Sequence, residues 1–384
     1  MSSSSNVAHE RRPVSLRHLL RHPVDTVESL ESSALVVGAI VFVIGAVVEA
    51  LVYWNEPLEI AGRGSLGDFV AVGGALAAIL AFVFGRVLLG RATAEGARYD
   101  HLESPGARLH WFDVFALAAA HGAIALLGWV GAADVLERSF QGAVVFPFPA
   151  SMLAGVALAL TAYACFLSAV RMTPMLLSLV LAVFLLVGAL AAMLSSSDPL
   201  WWQENLSALG ITNDISSLAF NLTLIVAGLI VTIIARYATA GLPAGTPKEA
   251  RGRRLVRYGL VLIGIFLACV GIFPVDQFLA VHNTVATGMA VAFVVLVIGL
   301  PWFVPSMPRV FVLLGYVYVG VIVVLAVLFA TGYYNLTAVE LVAGVLIFSW
   351  IIVFLRNTGT AGRADAAVRT DAAAPALEPE PSVA

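Results

Sequence analysis

The stretch GLVLIGIFLACVGIFPVDQFLAVHNTVATGMAVAFVVLVIGL (259–300) contains two long apolar runs that are separated by a few polar residues. A helix needs about 20 apolar residues to cross the hydrocarbon core of a bilayer, and each run approaches that length. Pro274 interrupts the pattern, because a proline inside a helix removes a backbone hydrogen bond. The stretch therefore predicts two transmembrane helices that are joined by a short polar turn.

The composition of the whole chain indicates the same environment. Hydrophobic residues make up 60% of the 384 residues, charged residues 12%, and the mean hydropathy is +0.96. Soluble domains are about 45–50% apolar and about 25% charged. Since each span must satisfy its own backbone hydrogen bonds in lipid, we predict an all-α, polytopic membrane helix bundle. Ten runs fit a span: 33–54, 68–90, 112–134, 149–170, 175–195, 216–236, 256–273, 283–303, 310–332 and 337–355.

The basic residues predict the orientation of these spans. Of the 21 lysines and arginines, only Arg63 and Arg138 lie in odd-numbered connections, and Arg86 lies within the second span. All the others lie in the two tails and the even-numbered connections. Basic residues favour the cytoplasmic side, so both termini are predicted to be cytoplasmic. Because Lys248 is the single lysine, an arginine-rich bacterial protein of the inner (plasma) membrane is expected.

The span pattern divides the chain into four parts. Residues 1–32 form a cytoplasmic tail, 33–174 a four-span region, 175–356 a six-span domain and 357–384 a disordered cytoplasmic tail rich in alanine, proline and glutamate. The net charge of -3 argues against a nucleic-acid partner. The two cysteines stand alone in apolar runs, and no metal-ligand spacing is present, so we expect neither a metal nor a cofactor. Membrane lipids are the expected partners.

Polar residues collect on the predicted outer side and form the candidate site, an outer pocket for a lipid headgroup. Carboxylates within spans usually face the bundle or a water-filled cavity. The candidate residues are Glu49, Trp202, Glu204, Asp214, Asn221, Asp276, His282, Asn283 and Glu340.

Each candidate also has a structural interpretation, and the sequence leaves both open. Asp276 and His282 either share a proton or bind a headgroup, or else Asp276 caps a helix and His282 ties a loop to the bundle. Glu49 either faces the bundle or reaches the interface, and Asn221 either meets a ligand or bonds a neighbouring helix. Trp202, with Trp201, belongs either to an aromatic belt or to a short interfacial helix.

Several motifs in residues 175–356 resemble the bacterial membrane family called domain of unknown function 998. The matching residues are Ser207, Leu209 and Gly210 in an S-x-LG loop, Asn221 and Gly228 in the following span, Gly271, Phe273 and Pro274 in a GxFP span end, and His282. The same segment is more distantly similar to six-span proteins of the damage-regulated autophagy modulator and GPI-lipid-remodelling type. This resemblance implies a role linked to membrane lipids.

Two functional hypotheses follow. The first is a lipid-binding or accessory protein at the outer leaflet. The second is a secondary transporter or a membrane-embedded lipid-modifying enzyme that uses Glu49, Glu204, Asp276 and His282. The segment GSLGDF (64–69) is also similar to NLSALG (205–210), and 126–140 to 269–283, so a parallel repeat of spans 1–4 and 5–8 is a further hypothesis.

Overall fold

Ten long helices dominate the structure, a computed structural model that describes residues 27–94, 110–211 and 215–373. They are α1 (Val27–Val52), α2 (Leu66–Ala94), α3 (Trp111–Ser139), α4 (Pro147–Val170), α5 (Pro174–Leu194), α6 (Ile215–Ala240), α7 (Pro247–Ile272), α8 (Leu279–Phe303), α9 (Arg309–Ala330) and α10 (Leu336–Ala373). All ten are long and apolar enough to cross a membrane. The prediction of an all-α, ten-span membrane bundle is confirmed, and the chain is a multi-pass integral membrane protein.

Two helices extend furthest beyond the predicted spans. α7 begins at Pro247 rather than near 256, because Thr246 and Glu249 form a capping box in which the Thr246 hydroxyl accepts from the Glu249 amide at 3.2 Å. α10 continues to Ala373, through residues 357–373, which were expected to begin a disordered tail. These residues are rich in alanine, which has the highest helix propensity. The remaining tail residues, 1–26 and 374–384, lie outside the described part of the chain.

The helices group into two compact units. The described residues of the first unit are 27–94 and 133–171, and those of the second are 110–132, 172–211 and 215–373. The break at 171 is close to the predicted boundary at 174, but the first part of α3 groups with the second unit instead of the predicted four-span region. The reason is packing, since Leu127 of α3 lies in a buried cluster with Ala192, Leu209 and Phe220 of the second unit.

In the first unit, α1 and α2 both pack against α4. Gly155 of α4 allows a close approach, because a Cβ there would lie only 2.9 Å from the carbonyl oxygen of Phe42 in α1. Two short antiparallel strands, β1 (Leu58–Glu59) and β2 (Val144–Val145), join connections of this unit. Small residues at helix contacts are typical of membrane bundles, where packing replaces the hydrophobic effect.

The second unit has a different packing order. α6 packs against α5 and α7, α7 also packs against α8, and α10 packs against α5, α6 and α9. The first and fifth spans therefore have different main neighbours, α4 and α6 respectively. A parallel repeat of spans 1–4 and 5–8 would instead give α5 the equivalent of α4, namely α8, as its main neighbour.

Candidate functional site

Three connections lie together at one end of the second unit. They are 195–211, 273–278 and 331–335, and we call this part the loop-capped end. The first connection contains two 3₁₀ turns, Trp201–Gln203 and Leu206–Gly210. Side chains from α6, α8 and α10 form hydrogen bonds to this connection. These bonds fix it over the ends of the helices.

His282 connects two of these segments from the first turn of α8, where its side chain is 4% exposed. Its Nδ1 lies 2.8 Å from the carbonyl oxygen of Phe273, and its Nε2 lies 3.0 Å from Ser207 Oγ. A carbonyl can only accept, so Nδ1 carries the hydrogen of the neutral ring. Nε2 then accepts a hydrogen bond from the Ser207 hydroxyl.

The start of α10 provides a second attachment. Glu340 accepts a hydrogen bond from the backbone N–H of Leu206 at 2.6 Å, and Asn335 donates to the carbonyl of Trp202 at 2.8 Å. Two buried oxygens on these same segments, Asn205 Oδ1 and Thr337 Oγ1, have no hydrogen-bond partner within residues 27–94, 110–211 and 215–373. Buried polar atoms normally have a partner, so these two indicate an incompletely filled polar site.

α6 holds the end of the same connection. Asn221 donates from Nδ2 to the carbonyl of Gly210 at 3.1 Å. The buried hydroxyl of Ser216 donates to the carbonyls of Ala192 and Leu209, at 2.8 and 3.3 Å. Asn221 therefore bonds the loop from its own helix, rather than a ligand or a neighbouring helix.

The other candidate residues of this end are exposed. Glu204, Asp276 and Asn283 are all on the surface, and Asp214 lies outside the described residues. Asp276 does not orient His282, because both ring nitrogens of His282 already bond to Phe273 and Ser207. Of the two interpretations that the sequence leaves open for His282, these contacts match the tie between a loop and the bundle, and not the pair with Asp276.

The two neighbouring tryptophans have different surroundings. Trp201 packs against the buried cluster that contains Leu209 and Phe220, whereas Trp202 is 49% exposed. They begin a 3₁₀ turn of three residues, Trp201–Gln203, where the sequence offers a short interfacial helix as one interpretation. Trp202 is the more exposed of the two, and Trp201 is half-buried.

Glu49 belongs to the first unit, near the end of α1, and is 2% exposed. Tyr53 follows one turn later and contacts Phe69 edge-to-face at 6.0 Å. Partial burial, together with the nearby carboxylates of Asp68 and Glu49, raises the pKa of the Tyr53 phenol. Glu49 and the loop-capped end are therefore features of different units.

The opposite end of the second unit contains a polar cluster that the sequence did not predict. We call it the arginine end. Asp113 of α3 is buried and forms an ion pair with Arg236 of α6, and its other oxygen accepts from the His110 amide at 3.1 Å. Arg257 of α7 donates to Thr239 Oγ1 at 2.9 Å. Asp113 and Arg236 are 123 residues apart in the sequence, so no local pattern indicates that they pair.

Ser207 is the residue at the loop-capped end whose contact the sequence did not predict. It was noted only as part of the S-x-LG motif, and its contact with His282 spans 75 residues of sequence. The available signal was the presence of a serine motif in the connection 195–211 and of a histidine at the start of α8. Within the described residues, no three His, Cys, Asp or Glu side chains are grouped to hold a metal ion.

The chain was compared with protein-family models, with curated proteins and with solved structures. None of the three comparisons finds a match. The functional argument therefore rests on the geometry of the chain itself.

Proposed function

We propose that this is a lipid-associated protein of the bacterial plasma membrane, with both termini cytoplasmic and the loop-capped end at the outer leaflet. In this proposal the exposed surface of the loop-capped end contacts lipid headgroups. The proposal includes membership of the family called domain of unknown function 998, on the motifs that Ser207, Asn221, Pro274 and His282 represent.

The observation that carries the proposal is the mixed surface of this end. Large apolar and aromatic side chains are exposed on all three connections, namely Leu200, Trp202, Phe278, Tyr333 and Tyr334. Exposed carboxylates, Glu204 and Asp276, lie on two of the same connections. Aromatic residues next to polar groups are typical of the membrane–water interface. Because the exposed charges are acidic, the surface favours a cationic headgroup such as the ammonium of phosphatidylethanolamine.

The charge distribution supports the orientation. The arginine end and its connections carry Arg236, Lys248, Arg251, Arg253 and Arg254 within a few residues of the membrane spans. Basic residues near span ends favour the cytoplasmic side. The loop-capped end has acidic residues instead, which agrees with an outer position.

Lipid binding is tested by native mass spectrometry of the protein in nanodiscs that contain phosphatidylethanolamine and phosphatidylglycerol. We expect Trp202→Ser combined with Glu204→Gln to weaken retention of phosphatidylethanolamine by about tenfold, which corresponds to about 1.4 kcal/mol. The matched control is Trp111→Ser, because Trp111 is 81% exposed at the other end of the second unit. Equal retention by the two variants would exclude a headgroup site at the loop-capped end.

Orientation is tested separately by cysteine labelling in intact cells. Cys165→Ala and Cys269→Ala remove the native thiols, and Glu204→Cys or Lys248→Cys then introduces one exposed thiol at either end. We expect a membrane-impermeant maleimide to label position 204 in intact cells and position 248 only after the cells are opened. The reverse pattern would place the loop-capped end in the cytoplasm.

The alternative function, a lipid-modifying enzyme, is favoured by the Ser207–His282 contact. A secondary transporter is less well supported, because transporters of known design use helices that break near the membrane centre. Among the described helices, the interior proline that interrupts a span is Pro301, only two residues before the end of α8.

A further inference from the structure

We propose that Ser207 and His282 form a nucleophile–base pair that transfers the acyl group of a lipid ester. This inference rests on the proposed function, since it requires a lipid at the loop-capped end. It adds a reaction to what would otherwise be a binding surface.

The first argument is the direction of the hydrogen bonds. The Phe273 carbonyl accepts from His282 Nδ1 at 2.8 Å, so the lone pair of the neutral ring is on Nε2. Ser207 Oγ is 3.0 Å from this nitrogen. A serine next to a base that a third group orients is the arrangement of an activated nucleophile. Here a backbone carbonyl takes the orienting place that a carboxylate has in serine hydrolases.

The second argument is the presence of two unsatisfied groups on the segments that adjoin the serine. Asn205 lies two residues before Ser207, and Thr337 lies one turn before Glu340, which accepts from the Leu206 amide. The buried Asn205 Oδ1 and Thr337 Oγ1 have no hydrogen-bond partner in the described part of the chain. An amide in its other orientation and a hydroxyl can both donate, so a substrate carbonyl oxygen would satisfy them. A simple structural tie between Ser207 and His282 does not require these groups.

The third argument is the depth of the Ser207–His282 pair relative to the membrane interface. The pair lies beneath connections whose exposed side chains, Trp202, Phe278 and Tyr333, suit the membrane interface. The ester carbonyls of a glycerolipid lie at the same boundary between headgroup and acyl chain. The substrate class is therefore a glycerolipid ester. Ser207 is 8% exposed, so the ester reaches Oγ only when neighbouring residues of the connection 195–211 move while Ser207 stays against His282.

The reaction has two balanced steps. Ser207 Oγ forms a bond to the carbonyl carbon while its proton passes to His282 Nε2, and the carbonyl electron pair moves to the oxygen. The carbonyl re-forms, the bond to the lipid alcohol breaks, and this alcohol takes the proton from Nε2. Water or a second lipid hydroxyl then gives its proton to Nε2 and attacks the acyl carbon. The acyl product leaves as the proton returns to Ser207 Oγ.

The test uses an alkyl fluorophosphonate, which phosphonylates activated serines, on the full-length protein in phosphatidylethanolamine nanodiscs. Peptide mass spectrometry should find the adduct on Ser207 in the wild type and not in Ser207→Ala. His282→Asn, which keeps a donor but removes the base, should slow labelling by about 100-fold or more. Ser216→Ala is the matched control, because Ser216 is a buried serine of the same end that bonds only to backbone carbonyls. No adduct on Ser207, or equal rates in His282→Asn, overturns the proposal.

A second variant remains informative if Ser207→Ala unfolds. In a Cys165→Ala, Cys269→Ala background, Ser207→Cys should react with iodoacetamide at pH 7 at least about tenfold faster than Ser216→Cys, and His282→Asn should abolish the difference. Equal rates overturn the proposal. Lipid retention separates the two proposals. Lipid bound without Ser207 reactivity overturns only the acyl transfer, while equal retention in the Trp202→Ser, Glu204→Gln variant and in the Trp111→Ser control overturns the lipid surface itself.

Discussion

The two ends of the second unit hold their buried polar groups in different ways. At the loop-capped end, His282, Glu340 and Asn221 bond to a serine hydroxyl and to backbone groups of one connection. At the arginine end, the Asp113 carboxylate pairs with the guanidinium of Arg236 on another helix. Breaking the first kind of contact releases a loop, whereas breaking the second leaves a buried charge. We therefore expect substitutions at the loop-capped end to loosen the structure locally. Substitutions at the arginine end should lower the free energy of unfolding of the whole protein.

The largest effect is expected for Arg236→Met. This change leaves the Asp113 carboxylate buried with only the His110 amide as a partner, and removing one partner of a buried pair costs about 3–5 kcal/mol. The free energy of unfolding, measured by titration with sodium dodecyl sulfate in mixed micelles, should fall by about 3 kcal/mol.

Asp113→Asn is the comparison variant for this pair. Arg236 is 38% exposed and can turn to water, so the loss should be smaller, about 1–2 kcal/mol. Equal losses in the two variants would show that the ion pair, rather than the isolated carboxylate, dominates the arginine end.

His282→Ala should have the next largest effect. It leaves the Phe273 carbonyl and the Ser207 hydroxyl without their partner, at a cost of about 1–3 kcal/mol for a buried group. Hydrogen–deuterium exchange should rise in residues 195–211 and 273–278 and remain unchanged in 236–257. Faster exchange at both ends would contradict the local character of the loop-capped end.

Asn221→Ala should have a smaller effect of the same type. It removes one hydrogen bond to the Gly210 carbonyl, which is worth about 1 kcal/mol. Exchange should increase at Leu209 and Gly210, with little change in global unfolding. An effect as large as that of His282→Ala would mean that Asn221 also supports the packing of α6.

The smallest effect is expected for His110→Ala at the arginine end. The His110 side chain is 72% exposed and its Nδ1 is 4.0 Å from Asp113, so the pair contributes about 0.5 kcal/mol or less. The backbone hydrogen bond from residue 110 to Asp113 remains. A loss above about 1 kcal/mol would show that the imidazole, in addition to Arg236, neutralises Asp113.

The candidate residues show where prediction from sequence succeeds and where it stops. Each of the eight that lie in the described residues is found near the helix end where its place in the chain puts it. His282 and Glu340 are nevertheless partners of a loop, not of Asp276, and Glu49 belongs to another unit. Depth along a span follows from counting residues, but the facing direction of a side chain depends on which helices become neighbours.

The sequence by itself determined that this chain crosses a membrane with ten helices. That conclusion depends on local quantities, the length of each apolar run and the need of each backbone to satisfy its own hydrogen bonds in lipid. Only the tertiary structure decided that Ser207 meets His282 and that Asp113 meets Arg236. Which helices pack together in lipid depends on the shape of their surfaces and on small residues that allow close approach. Hydropathy measures neither of these properties.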